Sequence, residues 1–229
     1  MTDRPWLVAP DSFKGTFSAR EVAEAIGRGL ARAGRSVDLC PVADGGEGTL
    51  AALAPALRAQ PRHADVHDPL GRPLRGAYAL SADGRTAIVE TAAASGLPLV
   101  AEHERDPWAA STAGAGELIA AAVDAGAREL LVAVGGSATT DGGAGALEAI
   151  AAAGGLRGAR LVVLCDVRTP FERAAEVFGP QKGASPRQVA ALTECLHELS
   201  ERLPRDPRGL PLGGCAGGLS GGLWAALGA

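Results

Sequence analysis

Large rings are scarce in this 229-residue chain: Phe, Trp and Tyr together make up 3% of it, although apolar residues of all kinds reach 47%. A core without rings must be built from Ala, Val, Leu and Ile, which requires helices and strands at close spacing. Lysine is scarcer still. Of 22 basic residues only Lys14 and Lys182 are lysines, and the rest are arginines. No apolar run approaches the ~18 residues that mark a membrane-spanning helix. The opening Met-Thr-Asp-Arg-Pro-Trp lacks the basic region and long apolar stretch of a secretory signal. A net charge of −4 argues against the basic face that nucleic acid requires. Cys40, Cys165, Cys195 and Cys215 show no Cys-x-x-Cys spacing and are expected to be buried free thiols. His63 and His67 fall in an alternating, strand-like segment rather than on one helix face, so a metal pair is not expected there. Four scattered histidines assemble no Ser-His-Asp or Cys-His arrangement. Neither a Walker A sequence nor a Gly-x-Gly-x-x-Gly fingerprint is present, which excludes the common nucleotide-binding loops. The cytoplasm is the expected compartment.

Glycine, by contrast, is abundant: 32 residues, many in short clusters. Clusters are expected where the backbone turns sharply or approaches a ligand. The order of elements is that of an α/β protein. Trp6 to Ala9 reads as a short strand. Ser18 with Glu21 has the spacing of a capping box, and Val22, Ile26 and Leu30 follow on one helix face. Val37 to Val42 is a second strand, and a strand–helix–strand unit of this length implies a parallel crossover. Residues 62–91 carry turn signals at Asp68-Pro-Leu-Gly-Arg-Pro and Ala82-Asp-Gly-Arg, so they read as a hairpin or meander. A domain crossing is placed there, giving residues 1–68 and 69–229 as the two units. Beyond it come a helix from Ser111 or Thr112 to about Ala125, a buried strand at Glu129 to Val134, an Ala-rich helix, a strand from Leu161 to Cys165, a helix from Pro186 to Leu203 and a final apolar helix.

The residues able to do chemistry sit in loops after strands, where α/β sheets bind ligands. Asp11, Ser12 and Lys14 follow the first strand; Asp44, Gly45, Gly46 and Glu47 follow the second. Two such loops on one rim bring carboxylates, which can accept a substrate proton or hold Mg²⁺, close to an ammonium suited to phosphate. Gly135, Gly136, Ser137, Thr139, Thr140 and Asp141 form a third loop, whose exposed amides and hydroxyls resemble a phosphate cradle. Asp166 ends a further strand, and Lys182 stands in a second Lys-Gly pair. The bland alternative is that Asp44 and Ser12 cap helices.

Ala9-Pro-Asp-Ser-Phe-Lys-Gly, Pro41-Val-Ala-Asp-Gly-Gly-Glu-Gly-Thr, Ala92-Ala-Ala-Ser-Gly-Leu, Gly116-Glu-Leu-Ile, Gly135-Gly-Ser-Ala-Thr-Thr-Asp-Gly-Gly and Phe178-Gly-Pro-Gln-Lys-Gly-Ala resemble, in order, the bacterial glycerate kinase family of the type that makes 2-phosphoglycerate. The resemblance implies a flavodoxin-like or Rossmann-like parallel sheet domain, here partial, with a second α/β domain inserted into it. It implies phosphorylation of D-glycerate with ATP and Mg²⁺ in the cleft between them. Carried over by motif, Lys14, Asp44, Asp141 and Lys182 are expected to be catalytic, with Asp44 or Asp141 as metal or base group. Asp11, Ser12, Gly45, Gly46, Glu47, Gly135, Gly136, Ser137, Thr139 and Asp166 are expected to bind substrate or phosphate.

Several departures qualify that expectation. Thr140 stands where the family usually has Asn. The segments between Gly154 and Leu161 and between Thr169 and Phe178 are short. Relatives continue past Ala229 with a Thr-Gly-Glu-Gly-x-x-Asp type of segment. Without that segment the first unit is expected to expose an apolar edge and to self-associate. The departures leave open an alternative, a family member that binds an anionic ligand or a partner chain without turnover.

Overall fold

The structure is a computed structural model that describes residues 4–13 and 15–229. Strand β1 (Trp6–Val8) leads through α1 (Ala19–Arg32) to β2 (Val37–Leu39), and the two strands pair in parallel. The capping box at the start of α1 forms as its spacing dictates: Ser18 Oγ accepts from the Glu21 amide while Glu21 Oε2 accepts from the Ser18 amide. Helix α2 (Thr49–Leu57) then hands the chain to a second, five-stranded sheet.

That sheet runs in simple order: β3 (Gln60–His67), β4 (Pro73–Leu80), β5 (Thr86–Glu90), β6 (Glu129–Ala133) and β7 (Arg160–Leu164). The first three strands form an antiparallel meander and the last three are parallel. Strand β3 pairs with β4 along its whole length, so the chain changes sheets at residues 58–59, ahead of the turn at residues 68–71. Pro61 is tolerated within β3 because this is an edge strand, and Pro73 because it is the first residue of β4. Asp68 builds the hairpin turn by accepting from the Leu70 and Arg72 amides at 2.9 Å each.

The crossover from β5 to β6 uses α3 (Ala92–Ser95) and α4 (Ala113–Asp124), and that from β6 to β7 uses α5 (Ala144–Ala152). Helices α4 and α5 touch backbone to backbone. A Cβ on Gly116 would lie 2.4 Å from the Ala146 carbonyl oxygen, a contact only glycine permits. The remaining elements are α6 (Ala174–Phe178), α7 (Pro186–Arg202) and α8 (Leu219–Leu227).

The main core is aliphatic, as ring scarcity requires: Leu118, Ile119, Leu130, Val132, Ile150, Leu219 and Leu223 are fully buried in it. Tyr78 is its aromatic member among the described residues, while Phe171 anchors a smaller cluster with Leu192 and Leu196. The small sheet is different. Trp6 and Leu7 are 53% and 67% exposed, and Leu39 is exposed beside them. The cysteines depart from expectation. Only Cys215 is buried, while Cys40, just beyond β2, and Cys195, on α7, are exposed. Among the described residues no helix is long and apolar enough to cross a membrane.

Candidate functional site

The carboxyl ends of β5, β6 and β7 form one edge, and two of the three glycine-rich loops meet there. The segment after β2 crosses this edge at close range. Gly45 has φ +87° and is buried, and a Cβ there would lie 2.5 Å from the Leu164 carbonyl oxygen at the end of β7. Both the left-handed backbone and the contact demand glycine. The Gly135 amide, just past β6, donates to the Gly45 carbonyl at 3.0 Å. A Cβ on Gly135 would in turn lie 2.6 Å from Gly46 Cα.

Asp44 Oδ1 accepts from the Gly46 amide at 2.8 Å, which shapes the turn. It does not cap α2. The cap position is Gly48, and the amides of Gly48 and Leu50 donate instead to Glu90 Oε1 at 3.0 and 2.7 Å. Glu90 ends β5 and was missed in the sequence. Burial pushes its carboxyl above the ordinary value, the two amides oppose that shift, and the neighbouring Glu47 charge adds to it. Glu47 itself is exposed, as is Asp166, two residues past β7.

The loop at residues 135–143 is buried over Ser137 to Thr140. Lys182, 3% exposed, reaches it from a 3₁₀ turn and donates to Ser137 Oγ at 2.9 Å and to the Thr139 carbonyl at 2.5 Å. Burial pulls its ammonium down to about 8, against the attraction of Asp141 and Cys215. The Lys182 charge therefore lies under the loop. Among the described residues, the buried polar side-chain atoms without a partner are Ser95 Oγ, Thr139 Oγ1, Thr140 Oγ1 and Arg105 Nε. Thr139 and Thr140 belong to this loop, Ser95 adjoins it through the Ala138 amide, and Arg105 packs on Gly183 next to Lys182. A bound oxyanion or water would satisfy such donors.

Asp141 is differently occupied. Its Oδ2 accepts from the amide and hydroxyl of Thr112 at 2.8 Å each and from the Gly145 amide at 3.2 Å, and its Oδ1 accepts from the Gly143 amide at 3.2 Å. That carboxylate ties the starts of α4 and α5 together.

On the first loop, Asp11 Oδ1 accepts from the Ser12 amide at 2.6 Å. The loops after β1 and β2 run together as far as a bond from the Val42 amide to the Pro10 carbonyl. Ser12 does not cap α1, since Ser18 does. Lys14 lies outside the described residues.

The model of the glycerate kinase family matches residues 6–154 and 151–229. Glycerate 2-kinase of Escherichia coli (strain K12) is 38% identical over 260 residues, which take in 97% of this chain and 68% of that protein. Glycerate kinase of Bacillus subtilis (strain 168) is 40% identical over 261 residues, 96% of this chain and 67% of that one. A crystal structure from Salmonella typhimurium LT2 assigned as glycerate kinase 2 superposes with a TM-score of 0.86 at 37% identity, covering 98% of this chain and 71% of that chain. The chain thus spans about two thirds of the length of the curated relatives it matches. It belongs to the glycerate kinase family.

Proposed function

We propose that this protein phosphorylates D-glycerate to 2-phosphoglycerate, with ATP and Mg²⁺, at the carboxyl edge of the parallel strands. The observation that carries this reading is the meeting of the Asp44–Glu47 and Gly135–Asp141 loops at that edge through the Gly45–Gly135 contact, in a chain matched by the family model from residue 6 to residue 229. Phosphoryl transfer asks a protein mainly for position and charge. The loop amides and the Ser137 and Thr139 hydroxyls are suited to hold phosphoryl oxygens, and Lys182 beneath them, with Lys14 from the first loop, supplies positive charge. Asp11 and Ser12 extend the acceptor side.

The donor set fits Mg²⁺ carried by a nucleotide. Glu47 and Asp166 offer exposed hard oxygens, while no group of three or more His, Cys, Asp or Glu among the described residues could cage a metal. Mg²⁺ is usually held by one or two carboxylates together with substrate phosphates. When bound, it neutralises charge on the transferring phosphoryl group. Of the two proposed carboxylates, Asp141 accepts four hydrogen bonds from Thr112, Gly143 and Gly145, which fix its orientation at the loop; either Asp44 or Asp141 serves to receive the hydroxyl proton of glycerate. A cytoplasmic location accords with these substrates. The exposed Trp6, Leu7 and Leu39 support self-association, which sedimentation at increasing concentration measures.

The test is direct. Purified protein given D-glycerate, ATP and Mg²⁺ should form 2-phosphoglycerate, identified by ³¹P NMR. No product above that of a Lys14→Ala control would overturn the reading.

A further inference from the structure

Helix α2 begins without a capping side chain, and its first turn holds no acidic residue. Unpaired amides and the helix dipole at such an end favour an anion. The anion here is supplied from the end of β5, some 40 residues later in the chain: Glu90 Oε1 takes both the Gly48 and Leu50 amides. The same segment is held at two other points. The Gly45 carbonyl accepts from the Gly135 amide past β6, and Gly45 packs against Leu164 at the end of β7. Three adjacent parallel strands therefore each fix one point of residues 44–50 at the sheet edge. Two of those points are backbone contacts. Only the β5 point depends on a side chain, and that side chain is a half-buried carboxylate held there against the cost of desolvation.

We propose that Glu90 is a positioning residue, a carboxylate latch that holds residues 44–50 on the carboxyl ends of β5, β6 and β7 and so presents Asp44 and Glu47 at the same edge as the Gly135–Asp141 loop. Its effect on turnover rests on the functional reading above; the latch itself does not. A cap drawn from the helix's own N-terminal residues would order α2 alone. Glu90 instead ties α2 to the second sheet, so the place of the loop depends on this bond.

Three substitutions separate the possibilities: Glu90→Ala, Glu90→Asp and Glu90→Gln. Hydrogen exchange is followed at the Gly48 and Leu50 amides and at the core amides of Ile88, Leu130 and Val132, alongside kcat and KM for glycerate. Removing the acceptor in Glu90→Ala should speed exchange at Gly48 and Leu50 by about 10- to 100-fold and leave the core amides unchanged. Displacement of the loop should lower kcat by up to about 100-fold, with a smaller change in KM. Glu90→Gln keeps an oxygen at the same reach and should restore both readouts to within a few-fold of wild type. Glu90→Asp is one methylene short and should behave like Ala; if the Ala variant fails to fold, the Asp variant carries the test.

Unchanged exchange at Gly48 and Leu50 in the Ala and Asp variants would overturn the latch. Lost protection with unaltered kcat would overturn its role in the reaction. A Gln variant that keeps protection but is as inactive as Ala would also overturn it, since the charge itself would then act. A wild-type protein without kinase activity would refute the functional reading alone, because the exchange comparison does not use turnover.

Discussion

Replacing Lys182 with Met tests whether a buried ammonium lies under the Gly135–Asp141 loop. Lowering the ammonium from 10.5 to about 8 corresponds to about 3 kcal/mol set against its charged form. In the unfolded chain the lysine stays protonated up to its ordinary value, so between about pH 8 and 10.5 the unfolded state binds the extra proton and stability rises with pH. This contribution is complete above 10.5 and lost as pH falls through 8. Below that, the folded protein carries the full cost of burying the charge. Met removes that cost but leaves Ser137 Oγ and the Thr139 carbonyl without their donor, at about 1–3 kcal/mol. The two effects nearly cancel near pH 6.5, so Lys182→Met should be close to wild type there. By pH 10 the neutral amine keeps its bonds at no charge cost, and the variant should have become roughly 2–3 kcal/mol worse relative to wild type. Urea denaturation at a series of pH values measures the difference. Only the difference between the two proteins is informative, because Cys215, pushed up by its hydrogen bond with Cys165 and by burial, and Tyr78, pushed up by burial, lower stability over the same range. Parallel pH curves for wild type and variant would refute the assignment of a buried, titrating Lys182.

Three further substitutions probe the frame around the site. Gly45→Ala puts a Cβ on the Leu164 carbonyl and a side chain at φ +87°, so it should cost at least ~1–2 kcal/mol in denaturant unfolding and lower kcat/KM by displacing residues 44–50. Asp141→Ala strands the donors of Thr112, Gly143 and Gly145 and should lose about 2–4 kcal/mol, read as a lower Tm; lost turnover at unchanged Tm would instead place Asp141 on the substrate. Phe171→Ala empties the centre of the smaller cluster, where the ring lies against Gly142, Gly218 and Gly221, and should cost about 3–5 kcal/mol by the same unfolding measurement.

Features written in neighbouring residues were legible in the sequence. Ser18 and Glu21 announced α1, Asp68 to Pro73 announced the turn between β3 and β4, and the apolar run at residues 130–134 announced β6. The loops were legible because glycine clusters mark backbone that turns or touches. What the sequence left hidden depends on partners far away along the chain. Asp44 and Glu90 are both carboxylates near strand ends, and only the β5–α2 contact shows that the second caps the helix after the first. Asp141 sits in a motif read as catalytic, and its four donors, one pair of them 29 residues earlier in the chain, give it a part in joining the starts of α4 and α5 that no neighbouring residue announces. Pro61 disguised the start of β3, since a proline argues against a strand until that strand is known to lie at an edge. Cys40 and Cys195 were expected inside on residue type alone, but their places just beyond a small exposed sheet and on α7 set their exposure.

The glycine content and the buried lysine have one physical origin. Two loops share the carboxyl edge of three parallel strands; Gly135 approaches the backbone of Gly46, and Gly45 the backbone of Leu164 at the end of β7, more closely than a Cβ allows. Side chains are thereby shut out of the contact, and the groups able to face a ligand there are amides, hydroxyls and carbonyls. Such a cradle has partial positive charge but no cation of its own, so a full charge has to come from outside it. Lys182 provides one from beneath, bonded to Ser137 Oγ and the Thr139 carbonyl. An arginine there would bring a planar five-donor fork in place of a compact head with three donors, and two of those three are used. In a chain that otherwise uses arginine almost throughout, the lysine at 182 is the cation whose shape fits under the loop.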